Sequence, residues 1–253
     1  MNLVELFLIF IIYAFLGWVV EMSYNNFTQK TFVNRGFLIG PYCPIYGVGG
    51  LIATIFLTKY KESIFVTFGM SMILFAVLEY FTSYIMEKLF KARWWDYSEM
   101  KYNINGRICL ETLIPFGLLG CVVIYITNPL IFSVFSLANV DILRIISSII
   151  FIIFIIDFSI SLKIINSFKN TAVRFLKKDN TEEITKKVKE VLISKSIWTK
   201  RLMESFPKVK AVISNVNIDF IKTKLELKKT KKELKLAKKE LKKERKANKK
   251  LRR

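Results

Sequence analysis

The chain has 253 residues, of which 53% are hydrophobic, and a formal net charge of +20. It contains no histidine, no Cys-x-x-Cys pair among its three cysteines and no phosphate-binding Gly-x-x-x-x-Gly-Lys-Ser/Thr loop. These absences argue against a zinc site, a disulfide framework and an ATPase, so we predict no metal and no cofactor. We also predict no catalytic residue, because no nucleophile–base set is recognisable.

Five apolar segments predict an all-α, polytopic integral membrane protein. Each is close to the length of about 20 residues that a helix needs to cross a bilayer. The segments are residues 3–20, 37–57, 64–86, 108–126 and 142–160. The first has no basic residue before it and no small-residue cleavage site, so we interpret it as a retained span and not as a signal peptide.

Lysine and arginine are distributed unevenly among the connecting loops. None precedes the first segment and none lies in residues 127–141, whereas residues 87–107 and everything after Lys163 are rich in them. Basic loops stay in the cytoplasm. This pattern predicts a multi-pass protein of the cell membrane with an extracellular amino terminus and a cytoplasmic carboxyl terminus.

The second segment contains residues that interrupt helices. From Gly36 to Gly50 it reads GFLIGPYCPIYGVGG, with Pro41, Pro44 and Gly47 inside the run. Proline removes a backbone donor, and each glycine costs up to about 1 kcal/mol in a helix. Two interpretations stay open. One is a broken, site-forming segment of the kind found in transporters, and the other is a glycine surface on which two helices pack closely.

A similar run lies seventy residues further along, where residues 106–120 read GRICLETLIPFGLLG. The positions that match or nearly match the first run are Gly106, Pro115, Gly117 and Gly120. We infer a tandem repeat with halves at 1–58 and 64–126, plus an extra helix at 142–160, in a transmembrane domain of residues 1–165. Its two glycine helices would lie side by side. The alternative is coincidence among membrane segments of similar composition.

The composition changes after the last apolar segment. Residues 166–220 are amphipathic, which predicts cytosolic or interfacial helices. Residues 221–253 form a Lys-rich helical tail with 17 basic and 4 acidic residues. We expect the tail to bind anionic lipid headgroups, with a solvated extension as the alternative. Nucleic acid is a poor candidate partner, because no aromatic side chain follows Phe220 to stack on bases.

Ionisable residues in or beside apolar segments are costly, which makes them candidate substrate-binding residues. They are Glu21, Arg35, Glu79, Glu87, Asp96, Arg107 and Glu111. In the repeat hypothesis, one glutamate and one arginine from each half meet at a polar depression open to the cytoplasm. Such pairs suit a zwitterionic or anionic group, and the alternative is loop-fixing salt bridges. Glu111 is spaced to pair with Arg107 on a helix, and Asp157 is close enough to Lys163 to reach the interface.

Several motifs within residues 1–130 resemble a known bacterial family. They are Gly17-Trp18 followed by Glu21, NRGFLIGPYCPIYGVGG from Asn34 to Gly50, EYFTSYIME from Glu79 to Glu87, WWDYS from Trp94 to Ser98 and NINGRICLE from Asn103 to Glu111. The family is described as putative ABC-transporter type IV, or putative ABC transporter permeases. The resemblance implies a permease subunit whose ATPase, if it uses one, is a separate chain. It supplies no established substrate or catalytic residue.

We therefore predict a permease-like membrane transport component whose site lies between the two Gly/Pro segments near the cytoplasmic face. Its predicted partners are the lipid bilayer, a separate ATPase subunit and a second copy of the chain in a homo-oligomer. Two alternatives stay open. One is a non-catalytic membrane scaffold or sensor that recruits partners through its basic tail. The other is an intramembrane enzyme that acts on lipid through carboxylates alone.

Overall fold

The structure, a computed structural model, describes residues 1–30, 34–174, 181–207, 209–212, 230 and 233–234. Almost all of the predicted Lys-rich tail, residues 221–253, lies outside the described residues. The helices are α1 (Leu3–Gln29), α2 (Pro44–Phe56), α3 (Ile64–Phe90), α4 (Leu110–Val122), α5 (Asn128–Leu137), α6 (Val140–Arg174), α7 (Thr181–Lys195) and α8 (Ile197–Ser205). The two-residue strands are β1 (Ala92–Arg93), β2 (Asn103–Ile104), β3 (Ile108–Cys109) and β4 (Lys210–Ala211).

Four helical stretches among the described residues are long and apolar enough to cross a membrane. They are Leu3–Thr28, Ile64–Phe90, Leu110–Leu137 and Val140–Thr171. Their surfaces are lined with exposed leucine, isoleucine, valine and phenylalanine, as expected for side chains that face lipid. These features confirm the predicted all-α, polytopic membrane fold.

The second predicted segment is only partly helical. Residues 34–43 contain no helix or strand, and α2 begins at Pro44, where a missing N–H costs no hydrogen bond. With 13 residues, α2 is about 20 Å long, shorter than the roughly 30 Å of hydrocarbon in a bilayer. The prolines therefore replace the first third of the expected span with irregular backbone.

The fourth and fifth segments are longer than predicted. Residues 127–141 were expected to form a loop, but the helix of α4 continues through a π-helical turn, Val123–Thr127, into α5. Pro129 lies in the first turn of α5, where it fits without breaking the helix. Helix α6 has 35 residues and extends well past residue 160.

The two helix pairs α1–α2 and α3–α4 are built alike. Helices α1 and α3 both have 27 residues, and each is followed by a lysine in the left-handed conformation, Lys30 and Lys91. Helices α2 and α4 both have 13 residues, and each is preceded by a cysteine at the N-cap, Cys43 and Cys109. The two pairs thus share their helix lengths and cap residues, and the tandem repeat itself stays a prediction.

A small core closes one end of the bundle. Helices α7 and α8 pack on the end of α6 and on the loop after α3, burying Trp94, Phe168, Val188 and Leu202 among others. Strand β4 pairs antiparallel with β1, with Arg93 opposite Lys210. We call this end, which also carries residues 34–43 and 91–109, the loop end.

Candidate functional site

Five charged side chains of alternating sign form a chain at the loop end. Arg107 Nη2 lies 3.1 Å from Glu87 Oε1, and Arg93 Nε lies 3.0 Å from Glu87 Oε2. Asp96 continues the chain, with Oδ1 3.6 Å from Arg93 Nη1 and Oδ2 2.8 Å from Lys210 Nζ. The structure thus brings together three predicted site residues and adds two more. Arg93 directly precedes the WWDYS motif, and this position is a sequence signal for a site residue. No comparable signal precedes or follows Lys210.

A tight turn brings Arg107 to this chain. Strands β2 and β3 are joined by residues 105–107. The amide of Arg107 donates to the carbonyl of Ile104 across the turn, and the two central residues, Asn105 and Gly106, have φ angles of 54° and 65°. Positive φ at both central residues is the Asn-Gly signature of a hairpin turn. A Cβ on Gly106 would lie 2.4 Å from Ser98 Oγ, so this position excludes a side chain for steric reasons as well. The turn directs Arg107 back onto α3.

The guanidinium of Arg107 is held between side chains of α3. Arg107 is 7% exposed, donates to Ser83 Oγ at 3.2 Å and pairs with Glu87. Its Cζ lies 5.8 and 5.4 Å from the ring centres of Tyr80 and Tyr84, close enough for cation–π attraction. Because its partners come from successive turns of one helix, Arg107 fixes the hairpin to α3.

Asp96 is an acceptor for several donors. Its Oδ1 accepts from Ser98 N at 3.1 Å and from Ser98 Oγ at 2.5 Å, in addition to the Lys210 contact at Oδ2. Burial alone would raise the pKa of Asp96, but the hydrogen bonds from Lys210 and Ser98 outweigh it and hold the pKa well below its usual range. Asp96 is therefore an ionised anchor between the loop and β4.

Glu79 lies two turns deeper in α3 than Glu87 and on the same face. It is 9% exposed, and Tyr97 donates its hydroxyl to Oε1 at 3.1 Å. The other oxygen, Oε2, is buried and has no hydrogen-bond partner among the described residues. Burial, followed by the charge of Glu79, raises the pKa of Tyr97, which therefore stays a donor. In the part of the chain that the structure describes, Glu79 thus combines a buried carboxylate with an open acceptor and no counter-ion within salt-bridge distance.

The other three predicted site residues do not join the charge chain. Glu21 is half-buried and accepts a hydrogen bond from Tyr46 at 2.7 Å. Arg35 is half-buried and forms no ion pair with any described residue. Glu111 is exposed at the start of α4. Its expected pairing with Arg107 does not occur, because Arg107 lies before the helix and faces Glu87 instead.

The irregular segment 34–43 has its backbone groups satisfied from two sides. Asp157 of α6 accepts from Ile39 N at 3.1 Å and from Gly40 N at 2.7 Å. Arg201 of α8 donates to the carbonyls of Leu38 at 2.8 Å and Gly36 at 3.1 Å. Irregular backbone at membrane depth requires such partners.

These two anchors differ in how visible they were in the sequence. The sequence marked Asp157 as a charge in an apolar segment, and its side chain is 9% exposed and turned toward segment 34–43. Arg201 belongs to no motif. Pro41 is exposed at the surface of the segment, whereas Gly36 is buried inside it.

A family model described as "Putative ABC-transporter type IV" matches residues 8–162 of the chain. The chain belongs to this family. No curated protein and no solved structure matches this chain. Family membership and the four apolar helices support a membrane transport component. In this member of the putative ABC-transporter type IV family, every predicted site residue lies inside the matched range, whereas Arg201 and Lys210 lie beyond it.

The glycines of α2 and α4 in this family member pack against α1 and α3. A Cβ on Gly47 would lie 2.6 Å from Phe10 O, and one on Gly50 would overlap the Tyr13 ring. On α4, a Cβ on Gly117 would lie 2.5 Å from the Phe68 ring, and one on Gly120 would overlap Ser71 Oγ. The glycine faces of α2 and α4 therefore meet α1 and α3 and not each other. Pro115 is exposed inside α4.

Proposed function

We propose that this chain is a permease-like transport component whose substrate site is centred on Glu79 at the loop end. Glu79 and Tyr97 belong to the second half of the repeat, and Glu21 and Tyr46 belong to the first, so the site lies between the halves. The observation that carries the proposal is the buried Oε2 of Glu79, which has no hydrogen-bond partner.

The charges around Glu79 favour a ligand with a positively charged group. A buried carboxylate without a counter-ion costs several kcal/mol, and ionisable residues in membrane segments are usually functional. Arg107 cannot serve as its counter-ion in this arrangement, because it is already paired with Glu87. Tyr97 donates only to Oε1. An ammonium group at Oε2 would satisfy the acceptor and the charge together, so we propose a cationic substrate in place of a zwitterionic or anionic one.

Family membership supports a permease role in which a different protein chain hydrolyses ATP. The sequence contains no phosphate-binding loop of the ATPase type, so we propose that a separate ATPase subunit drives transport. The loop end is the proposed docking side, since it carries the irregular segment 34–43 and both short sheets.

The test is to purify the full chain in nanodiscs of native lipid and identify bound small molecules and proteins by native mass spectrometry. We expect a co-purifying ATPase and a small cationic ligand that is lost in Glu79→Gln. The matched control is Glu62→Gln, because Glu62 is exposed in the turn before α3. The ligand should remain in this control, and both variants should keep the wild-type melting temperature.

Two results would contradict the proposal. Retention of the same ligand by Glu79→Gln would remove Glu79 from the site. Conversion of lipid by the pure chain, without any ATPase, would favour the alternative of an intramembrane enzyme.

A further inference from the structure

An apolar and basic surface lies at the start of α8. Ile197 is 82% exposed and Trp198 is 49% exposed, and the exposed lysines Lys195 and Lys200 flank them. Lys200 Nζ lies 3.9 Å from Glu204 Oε1 in an exposed ion pair. The helix is anchored in the small core through Leu202 and its neighbours. We call the four residues Lys195, Ile197, Trp198 and Lys200 the α8 tip. Nothing in the small core requires Ile197 or Trp198 to be apolar.

Contacts with α6 show how deep the α8 tip lies. Lys195 Nζ donates to Ser167 Oγ, and Ser167 is inside the stretch Val140–Thr171, which is apolar enough to cross a membrane. Arg201 reaches still deeper, because its partner segment 36–40 is bound by Asp157, ten residues before Ser167. The α8 tip therefore lies beside the end of a membrane span and not out in solution.

The direction of the α8 tip follows from helix geometry. Successive residues are rotated by about 100°, so Ile197 and Trp198 lie on either side of Arg201 and within about 60° of it. Arg201 points into the irregular segment 34–43. The exposed apolar pair therefore borders the contact between α8 and segment 34–43, and both side chains remain exposed there.

We propose that the α8 tip is embedded in the headgroup region of the leaflet at the loop end and binds an anionic phospholipid between its two lysines. Tryptophan is the side chain most suited to this region, since its ring is apolar and its N–H is polar. The flanking ammonium groups attract lipid phosphates. The α8 tip contains none of residues 221–253, for which lipid binding is predicted from the sequence. The proposal is independent of the proposed transport function.

Brominated lipids test the proposal with the full chain in nanodiscs. The chain has four tryptophans, so the emission of Trp198 is obtained by subtracting the spectrum of Trp198→Phe from that of the wild type. We expect this difference emission to be strongly quenched by bromine near the carbonyl end of the acyl chains and weakly quenched by iodide in solution. Absence of bromine quenching would overturn the proposal: strong iodide quenching would then place the tip in solution, and quenching by neither would indicate that a partner protein covers it.

A second measurement tests the lipid charge. In discs that mix phosphatidylcholine and phosphatidylglycerol, native mass spectrometry should find phosphatidylglycerol enriched on the wild type. Lys200→Glu should lose most of this enrichment, and the matched control Lys101→Glu should keep it, because Lys101 is exposed on the loop far along the chain from α8. Equal enrichment in both variants would contradict a specific site at the α8 tip. An unchanged melting temperature verifies that the variants are folded.

Discussion

Arg107 shows how one buried charge fixes a loop to a helix. Its guanidinium is paired with Glu87 and hydrogen-bonded to Ser83, so Arg107→Met leaves both partners short of a donor. We expect a loss of about 3 kcal/mol in the free energy of unfolding, the low end for a broken buried pair, because Glu87 keeps Arg93. Denaturation of the purified protein in detergent measures it.

The control for this prediction is Arg144→Met. Arg144 also forms an ion pair, with Asp141 at 3.1 Å, but both side chains are mostly exposed. Exposed pairs contribute only about 0–1 kcal/mol. Equal losses in the two variants would show that the burial of Arg107 does not matter.

Asp96 predicts a pH dependence of stability. Its pKa is lowered in the folded protein, so the folded state favours the ionised form. The stabilisation is fully present above the ordinary carboxyl pKa of about 4 and is lost as the pH falls below it toward the lowered value. The difference in unfolding free energy between wild type and Asp96→Asn should therefore be constant above about pH 5 and should shrink in more acidic solution. A difference that grows on acidification would contradict this.

At the scale of elements, the glycines decide how closely the paired helices approach. Gly47→Leu and Gly117→Leu should force α2 from α1 and α4 from α3, since the added side chains would enter Phe10 or Phe68. Insertion should be nearly unchanged, because leucine is favourable in lipid. The expected result is a lower melting temperature and loss of ligand binding, with the same amount of protein in the membrane.

Gly69 provides the matched control for the glycine series. It lies in α3, and a Cβ there would have no atom within 4 Å. Gly69→Leu should keep the wild-type melting temperature. If it lowers that temperature as much as Gly117→Leu does, close packing at Gly117 does not explain the loss, because leucine has a higher helix propensity than glycine at both positions.

The elements were more predictable than their contacts. Apolar runs and Lys/Arg-rich loops suffice to locate helices, because a membrane restricts the backbone to a few solutions. The continuation of α4 into α5 was missed because a proline at the start of a helical turn looks the same in sequence as one that ends a helix. The partners of segment 34–43 were missed for another reason. Backbone carbonyls accept from any donor that the fold brings near, so the sequence does not single out Arg201.

At the scale of the whole molecule, the loop end determines the predicted orientation. We keep the prediction that it faces the cytoplasm, with the carboxyl terminus there and the amino terminus outside, because the basic loops cluster on it. Cysteines placed in an otherwise cysteine-free chain should report this: one at Glu99 should react with an impermeant maleimide only in opened cells, and one at Glu62 should react in intact cells. The opposite labelling pattern would reverse the topology.

The segment after the family match joins two loops of the loop end. Arg201 of α8 binds the carbonyls of Gly36 and Leu38 in the loop before α2, and Lys210 of β4 binds Asp96 in the loop after α3. Between these contacts, Trp94 packs against Phe37 and Phe206 with ring centres 4.5 and 5.2 Å apart. Residues 181–212 therefore act as a strap across the loop end.

Two truncations separate this strap from the tail that follows it. Deleting residues 221–253 should leave the melting temperature of the membrane part unchanged, because the Lys-rich sequence offers too little apolar surface to pack on it. Deleting residues 181–253 should lower that temperature and speed hydrogen exchange at residues 34–43, since the donors of Arg201 disappear and the aromatic core around Trp94 becomes exposed. Both deletions spare the matched range 8–162, so an effect of the longer one alone assigns the stabilisation to the strap. Equal changes in melting temperature from the two deletions would show that the strap adds no stability of its own. Protection of residues 34–43 that survives the longer deletion would show that the contacts with α6, such as those of Asp157, are enough to hold the irregular segment in place.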